Sequence, residues 1–296
     1  VLCQGLDRRN CGGERQPSQV EASMMSALER GPITVAFLVY ESFSSGLTAV
    51  GNDAAAGEIF NCVTTKAVTL NGMAELCAKA QAVGAVTLVD AAQSAGHMPL
   101  NVQSLGCDFL ALSGHKVCGP TGIGALFARA ELQSAMPPYQ GGGEMISKVG
   151  FQTSEYHVPP HKFEAGTPNI AGAVGLHAAL DYLDALGRKA IHAHDTDLAA
   201  YAKERLAEFD GIRIFGPTED RGGLVSFVFE NVHALDLATM ADQQGVAIRI
   251  GHHCTQPLHE KLGVPATARA SFYFYNTRTE VDRFIEVLQK VIQLLK

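Results

Sequence analysis

The sequence predicts an α/β protein with a mainly parallel sheet, and three observations carry that prediction. The short apolar runs Val86–Val89 and Asp108–Leu112 have the length and flanks of buried strands. The stretch from Met73 to Val83 sets Met73, Leu76, Cys77, Ala80 and Val83 on one helical face. A strand-like run, Glu58–Val63, precedes that helix, so the order is strand, helix, strand, the order of a parallel crossover unit.

Taken in order, Val1 to Gln19 is polar and reads as loop. Val20 to Arg30 reads as a short helix broken by Gly31–Pro32, and Ile33 to Tyr40 as a strand rich in β-branched and aromatic residues. Ser44 to Gly57 has the composition of a linker. After the helix, Gly84 supplies a stop. Beyond the second strand, Gly119, Pro120, Gly122 and Gly124 mark a tight turn into a further apolar run, Ile123–Ala128. Glu131 to Lys162 is Gly- and Pro-rich and long for a structureless loop, which suggests a functional or interface segment. Asn169 to Leu186 and Arg188 to Phe209 read as consecutive helices. Strands are then expected at Ile212–Phe215, Leu224–Phe229, Val246–Arg249 and Arg269–Phe274, and helices at Leu235–Gln244 and Thr279–Leu295. The last helix carries a core stripe from Val281 to Leu295.

With 296 residues the chain has material for one or two domains. A formal charge of -7 and the lack of a Lys/Arg cluster argue against a nucleic-acid surface, and no apolar run reaches membrane-spanning length. The seven cysteines are scattered without CxxC pairs, which favours a reducing, cytoplasmic setting over a disulfide framework. The chain starts at Val1 and shows no signal peptide.

Chemistry gathers at the strand ends. Asp90 and Gln93 follow the first buried run; Ser113, His115 and Lys116 follow the second. In an open α/β sheet the carboxyl ends of parallel strands form the ligand crevice. Taken singly, Lys116 reads as a loop lysine and Asp90 as a turn residue. Together they suit pyridoxal phosphate, which needs a Lys for its Schiff base, an Asp for the ring nitrogen and donors for its phosphate. A second group is Arg249-Ile-Gly-His252-His253-Cys254, on a loop before Pro257. Its thiol is open to three readings: a structural cysteine, a zinc ligand with His259, or a nucleophile beside imidazoles able to share its proton. The sequence around His259 is not H-E-x-x-H, so a zincin is excluded. Arg249 and Arg269 suit a carboxylate, although each alone reads as a strand-end residue. His97 reads as a core histidine.

Three stretches, VDAAQSAGHMPL, SGHKVCGPTGIGALF and FEAGTPNIAGAVGL, resemble the class V aminotransferase family. RIGHHCTQPL and RASFYFYNT resemble its Suf-type (group II) cysteine desulfurase and selenocysteine lyase branch. The similarity runs from about Gly57 to Lys296. It implies the PLP-dependent transferase, aspartate-aminotransferase-like fold, with a partial large domain over 57–186 and a smaller α+β domain over 187–296. Residues 1–56 form an atypical N-terminal segment outside the match; within it, EASMMSALERGPITVAFLVYESF is weakly similar to papain-like peptidases, without their CGSCW-like segment.

The resemblance implies a cysteine desulfurase that converts L-cysteine to L-alanine with a persulfide on Cys254, supplying sulfur for iron-sulfur cluster assembly. Lys116 and Cys254 would be catalytic, and no metal is expected. Asp90, Gln93, Ser113, His115, Lys116 and Thr167 would bind pyridoxal 5'-phosphate, and Arg269 and Arg249 the substrate. A homodimer, a sulfur-acceptor protein and L-cysteine or L-selenocysteine are the implied partners. Alternatives are another class V enzyme, such as a transaminase, epimerase or kynureninase-like lyase, and an inactive desulfurase-derived fragment. Cys118 stands where the family usually has an aromatic residue, and Thr65 where it has an Asn. The family's phosphate-cradling Gly/Thr loop and ring-stacking His have no counterpart in residues 1–56, so the chain reads as N-terminally incomplete.

Overall fold

A five-stranded sheet in the order β2-β1-β3-β4-β5 organises the first half of the protein. The computed structural model describes residues 35–39, 60–63, 70–82, 84–216, 222–253 and 256–295. Strands β1 (Val35–Val39) and β2 (Phe60–Val63) are followed by helix α1 (Leu70–Ala82) and strand β3 (Val86–Asp90). Two single-turn helices, α2 (Ser94–His97) and α3 (Val102–Leu105), lead to β4 (Phe109–Ser113). A 3-10 turn, Gly114–Val117, precedes β5 (Gly124–Ala128). Strands β1 to β4 pair in parallel, while β5 runs antiparallel to β4. The expected mainly parallel sheet is therefore present, with one antiparallel edge.

Strand β1 lies between β2 and β3, pairing Phe37 with Asn61 on one side and with Leu88 on the other. The strand expected at Ile33–Tyr40 thus enters the sheet itself. The helix expected over Val20–Arg30 lies outside the described residues.

Asp108 shows how the first layer is pinned. Its Oδ2 accepts from Thr87 N and Thr87 Oγ1, both at 2.8 Å, and from Gln81 Nε2 at 3.0 Å. A buried carboxylate is tolerated when hydrogen bonds replace its water, and these three join α1, β3 and the entry to β4. Asn101 caps α3 by accepting from Gln103 N and Ser104 N, and Gly106 closes it in the left-handed region at φ 67°. Met73, Cys77, Val89, Leu105 and Leu110 fill the core between α1 and the sheet.

The segment expected as a long loop contains a short helix, α4 (Ala130–Ala135), and a hairpin of β6 (Ile146–Val149) and β7 (Ser154–Tyr156). Helices α5 (Ile170–Leu186) and α6 (Arg188–Leu206) then cross to a second, antiparallel sheet. That sheet has the order β10-β11-β9-β8, from β8 (Ile212–Phe215), β9 (Leu224–Phe229), β10 (Arg249–Gly251) and β11 (Thr267–Ser271). Helix α7 (Ala234–Asp242) follows β9, and α8 (Gln256–Leu262) precedes β11.

Strands β10 and β11 are shorter and shifted relative to the expected Val246–Arg249 and Arg269–Phe274. Phe272 N still donates to Gly223 O, and Asn276 Oδ1 then accepts from Tyr273 N at 2.9 Å, turning the chain out of the ladder within its aromatic run. The final helix, α9 (Arg278–Leu295), opens with a capping box: Thr277 N donates to Glu280 Oε2 and Glu280 N to Thr277 Oγ1. Val281, Phe284, Ile285, Leu288, Val291 and Ile292 are buried on one face, as the stripe predicts. Full burial of one such side chain is worth ~1.5–3 kcal/mol, so this face suffices to hold α9 on the sheet.

Candidate active site

Strands β3 and β4 are parallel neighbours, with Asp90 opposite Ala111, so their carboxyl ends open on the same edge of the sheet. Asp90 ends β3, and its Oδ1 accepts from Ala92 N at 2.9 Å, which holds the carboxylate in an Asx turn. Gln93 stands at the N-terminal boundary of α2, half-buried. Ser113 ends β4, and the 3-10 turn after it carries His115, exposed, and Lys116, half-buried. Five of the expected cofactor residues therefore meet at adjacent strand ends.

The turn that holds Lys116 is tightly built. Gly114 N donates to Ile123 O at 2.8 Å, Gly119 N donates back to Gly114 O at 2.9 Å, and Cys118 sits at φ 62°. A Cβ on Gly96 of α2 would lie 2.7 Å from Lys116 O and 2.8 Å from Tyr273 Oη, so only glycine fits behind the turn. Tyr273 Oη donates to Gly96 O at 2.8 Å, and the Tyr273 ring packs on His97 at 4.3 Å between centroids. A carbonyl only accepts, so the phenol proton is committed to Gly96, and its oxygen is left to face the Cys118 thiol. Burial pushes the Tyr273 phenol well above its usual range, and burial likewise pushes the Cys118 thiol up.

His97 behaves as its sequence context suggested. Its Nδ1 lies 2.7 Å from Oδ2 of Asp195, a fully buried carboxylate on α6. Burial pushes Asp195 up, and the hydrogen bond with His97 opposes that shift. Arg188, at the start of α6, donates to Ala95 O. These links join α6 and the residues after β11 to the back of the Lys116 turn. Sequence reasoning missed Tyr273 and Asp195; Tyr273 was hidden inside an aromatic run that reads as strand.

Thr167 is exposed in the loop before α5. Asn169, two residues on, sits against Gly122 O at 3.5 Å, which brings this loop to the turn after Lys116. Arg249 and Arg269 belong to the second sheet, where they are direct cross-strand partners. Arg269 is buried and donates from Nε to Ser271 Oγ at 3.1 Å; Arg249 is exposed. His253 is buried beside this pair. Burial, followed by electrostatic interaction with Arg269, His259 and Arg249, lowers its pKa to about 4. Cys254 and Thr65 lie outside the described residues. Among the described residues no group of three or more His, Cys, Asp or Glu is arranged to hold a metal.

A model of the Aminotransferase class-V family matches residues 60–284. A probable cysteine desulfurase of Xylella fastidiosa is 50% identical over 227 residues, covering 77% of this chain and 55% of the relative. A cysteine desulfurase of Haloferax volcanii is 52% identical over 227 residues, covering 76% and 53%. The chain thus spans about half the length of the curated relatives it matches. The crystal structure of the Escherichia coli cysteine desulfurase CsdA, in an S-sulfonic acid form, superposes with a TM-score of 0.76 at 36% identity, covering 89% of this chain and 60% of that one. The expected PLP-dependent transferase fold is therefore the fold present, with the mixed α/β sheets described above. From the family match and this likeness together, the chain belongs to the class-V aminotransferase family.

Proposed function

We propose that this chain carries the machinery of a pyridoxal-phosphate-dependent cysteine desulfurase, with its cofactor site in 57–186 and its smaller domain in 187–296. The observation that carries the reading is the meeting of Asp90 and Lys116 at the carboxyl ends of adjacent parallel strands. A carboxylate, an amide, a hydroxyl, an imidazole and an amine there form the donor set that a pyridine nitrogen, a ring hydroxyl, a phosphate and an aldehyde require, so the residues fit the cofactor.

When bound, pyridoxal phosphate supplies an electron sink for charge developing at the substrate α-carbon. Asp90 keeps a proton on the ring nitrogen by charge-assisted hydrogen bonding. Gln93 contacts the ring hydroxyl, and Ser113, His115 and Thr167 donate to the phosphate, Thr167 to that of a partner subunit. Lys116 Nζ holds the cofactor and moves protons at the substrate carbons. Arg269, with Arg249 opposite, binds the substrate carboxylate as a fork. Cys254 Sγ, as thiolate, attacks the substrate sulfur. The carbon–sulfur bond breaks, its electron pair stays with carbon and takes up a proton, and alanine leaves a persulfide on Cys254.

A homodimer is supported by exposed apolar residues on and beside the hairpin, Val149, Phe151 and Val158, of which Phe151 is wholly exposed. A sulfur-acceptor protein would take up the persulfide and carry sulfur to iron-sulfur cluster assembly. Cys77, Cys107 and Cys118 are free thiols, and no helix among the described residues is long and apolar enough to cross a membrane; both fit the proposed cytoplasmic setting.

The test is a visible spectrum of the purified chain with added pyridoxal phosphate, followed by borohydride reduction. The expected result is a yellow protein with a pyridoxyl mass on Lys116, and alanine released from cysteine. A chain that stays colourless would overturn the reading.

A further inference from the structure

Asp195 lies on α6, is fully buried, and touches both halves of the protein. On one side its Oδ2 is 2.7 Å from His97 Nδ1 on α2. On the other it packs on Gly223, at the entry to β9. A Cβ on Gly223 would lie 2.8 Å from Asp195 Cβ and 2.8 Å from Phe272 O, so a side chain there has no room. The Gly223 carbonyl accepts from Phe272 N. Burying a carboxylate is costly unless hydrogen bonds replace its water, and among the described residues Oδ1 has no hydrogen-bond partner. A neutral side chain of the same shape would be buried at lower cost, so stability alone does not account for an acid at this place.

Both contacts of Asp195 lead to one glycine. His97 is the chain neighbour of Gly96, and Phe272 is the chain neighbour of Tyr273, whose phenol donates to Gly96 O at 2.8 Å. The rings of Tyr273 and His97 also pack on each other, 4.3 Å between centroids. Gly96 stands directly behind the Lys116 carbonyl, which a Cβ on Gly96 would approach to 2.7 Å. We propose that Asp195 is a positioning residue for Lys116: from α6 it holds His97 and the Gly223–Phe272 junction, and through both it seats Gly96 as the wedge behind the Lys116 turn. A carboxylate only accepts, so His97 presents Nδ1–H to it, and that tautomer fixes the imidazole plane on which Tyr273 rests. Lys116 Nζ must meet a single carbon of the cofactor, and such an approach tolerates little drift of the turn. The use of that amine rests on the desulfurase reading; the seating of the turn does not.

The experiment compares the full chain with Asp195→Ala, Asp195→Asn and, as a control for general destabilisation, Val281→Ala in the core under α9. The first readout needs no cofactor: hydrogen exchange of the turn amides Gly114 and Gly119, well below the melting temperature. Asp195→Ala should speed it about tenfold, while Asp195→Asn, which keeps an acceptor of the same shape, and Val281→Ala should leave it near the unmodified rate. The second readout is the rate at which pyridoxal phosphate with borohydride labels Lys116, which should fall roughly tenfold in Asp195→Ala alone. Nitrogen-15 spectra of the imidazoles, with His97 assigned through His97→Gln, should show a proton on Nδ1. Turn exchange in Asp195→Ala that matches the unmodified chain, or that is equalled by Val281→Ala, overturns the proposal. So does an Nε2–H tautomer of His97 with a bare Nδ1 in the unmodified chain, even where Asp195→Ala does not fold. An unmodified chain that takes no label on Lys116 while the exchange behaves as expected would overturn the cofactor reading and leave the seating of the turn standing.

Discussion

Tyr273 and Gly96, 177 positions apart, meet through a hydrogen bond of 2.8 Å from the phenol to the carbonyl. Tyr273 follows β11, the strand that carries Arg269, and Gly96 backs the turn that carries Lys116. This bond therefore registers the second sheet against the first at the level of the proposed chemistry.

Replacing Tyr273 with Phe removes that bond and keeps the ring on His97. Leaving the buried Gly96 carbonyl without this donor should cost ~1–3 kcal/mol. Thermal melting should fall by about 2–4 °C per kcal/mol for a chain near this size. An unchanged melting temperature would show that the bond does not tie the two sheets.

Gly96→Ala should be at least as damaging, because its Cβ meets the Lys116 carbonyl as well as the Tyr273 phenol. Overpacking of this kind costs ~1–3 kcal/mol. Removing the phenol oxygen relieves one of the two contacts. Urea unfolding of Gly96→Ala, Tyr273→Phe and the double variant should thus give a double change smaller than the sum. Strict additivity would contradict the shared contact.

His253 should make stability depend on acid. Its folded pKa is about 4, against an ordinary value of 6.5. Between those values the unfolded chain binds the proton and the folded one does not, so stability is full above pH 6.5 and declines as pH falls toward 4. The ceiling on that loss is of order 3 kcal/mol for a shift of this size. Unfolding free energies from pH 7.5 to 4.5 should fall more steeply for the unmodified chain than for His253→Gln. Parallel slopes would show that His253 titrates normally.

The two thiols near the proposed chemistry should separate cleanly. Cys254→Ser should keep the cofactor spectrum and lose sulfur transfer from cysteine. Cys118→Ser should retain transfer, because partial desolvation raises the Cys118 thiol pKa and so works against the thiolate. Trapping a persulfide at Cys118 by mass spectrometry would reverse this assignment.

Much of the fold was legible because it is locally encoded. The apolar runs that became β3 and β4, and the stripe on α9, declare their partners by length and period alone. The proposed cofactor residues were legible for the same reason, since two adjacent strand ends carry five of them. What escaped the sequence depends on distant partners. Asp195 becomes informative only once α6 brings it to His97, 98 positions away. Thr267 reads as an ordinary strand residue until two histidines converge on it. The aromatic run at Phe272 to Tyr275 has strong strand character, yet one side chain, Asn276, bends it out of the ladder. The hairpin of β6 and β7 was masked by the glycines and prolines around it.

Strand β1 has a consequence for how the first sheet opens. It precedes the family match, which begins at residue 60, yet it occupies an inner place, and among the described residues β2 is hydrogen-bonded to β1 alone. Every fluctuation that releases β1 from β3 also strips β2 of its tie to the rest of the sheet. Amide exchange protection in Phe60–Val63 is therefore bounded from above by the detachment of Val35–Val39. Protection at that edge of the first sheet is therefore set by residues that precede the family match.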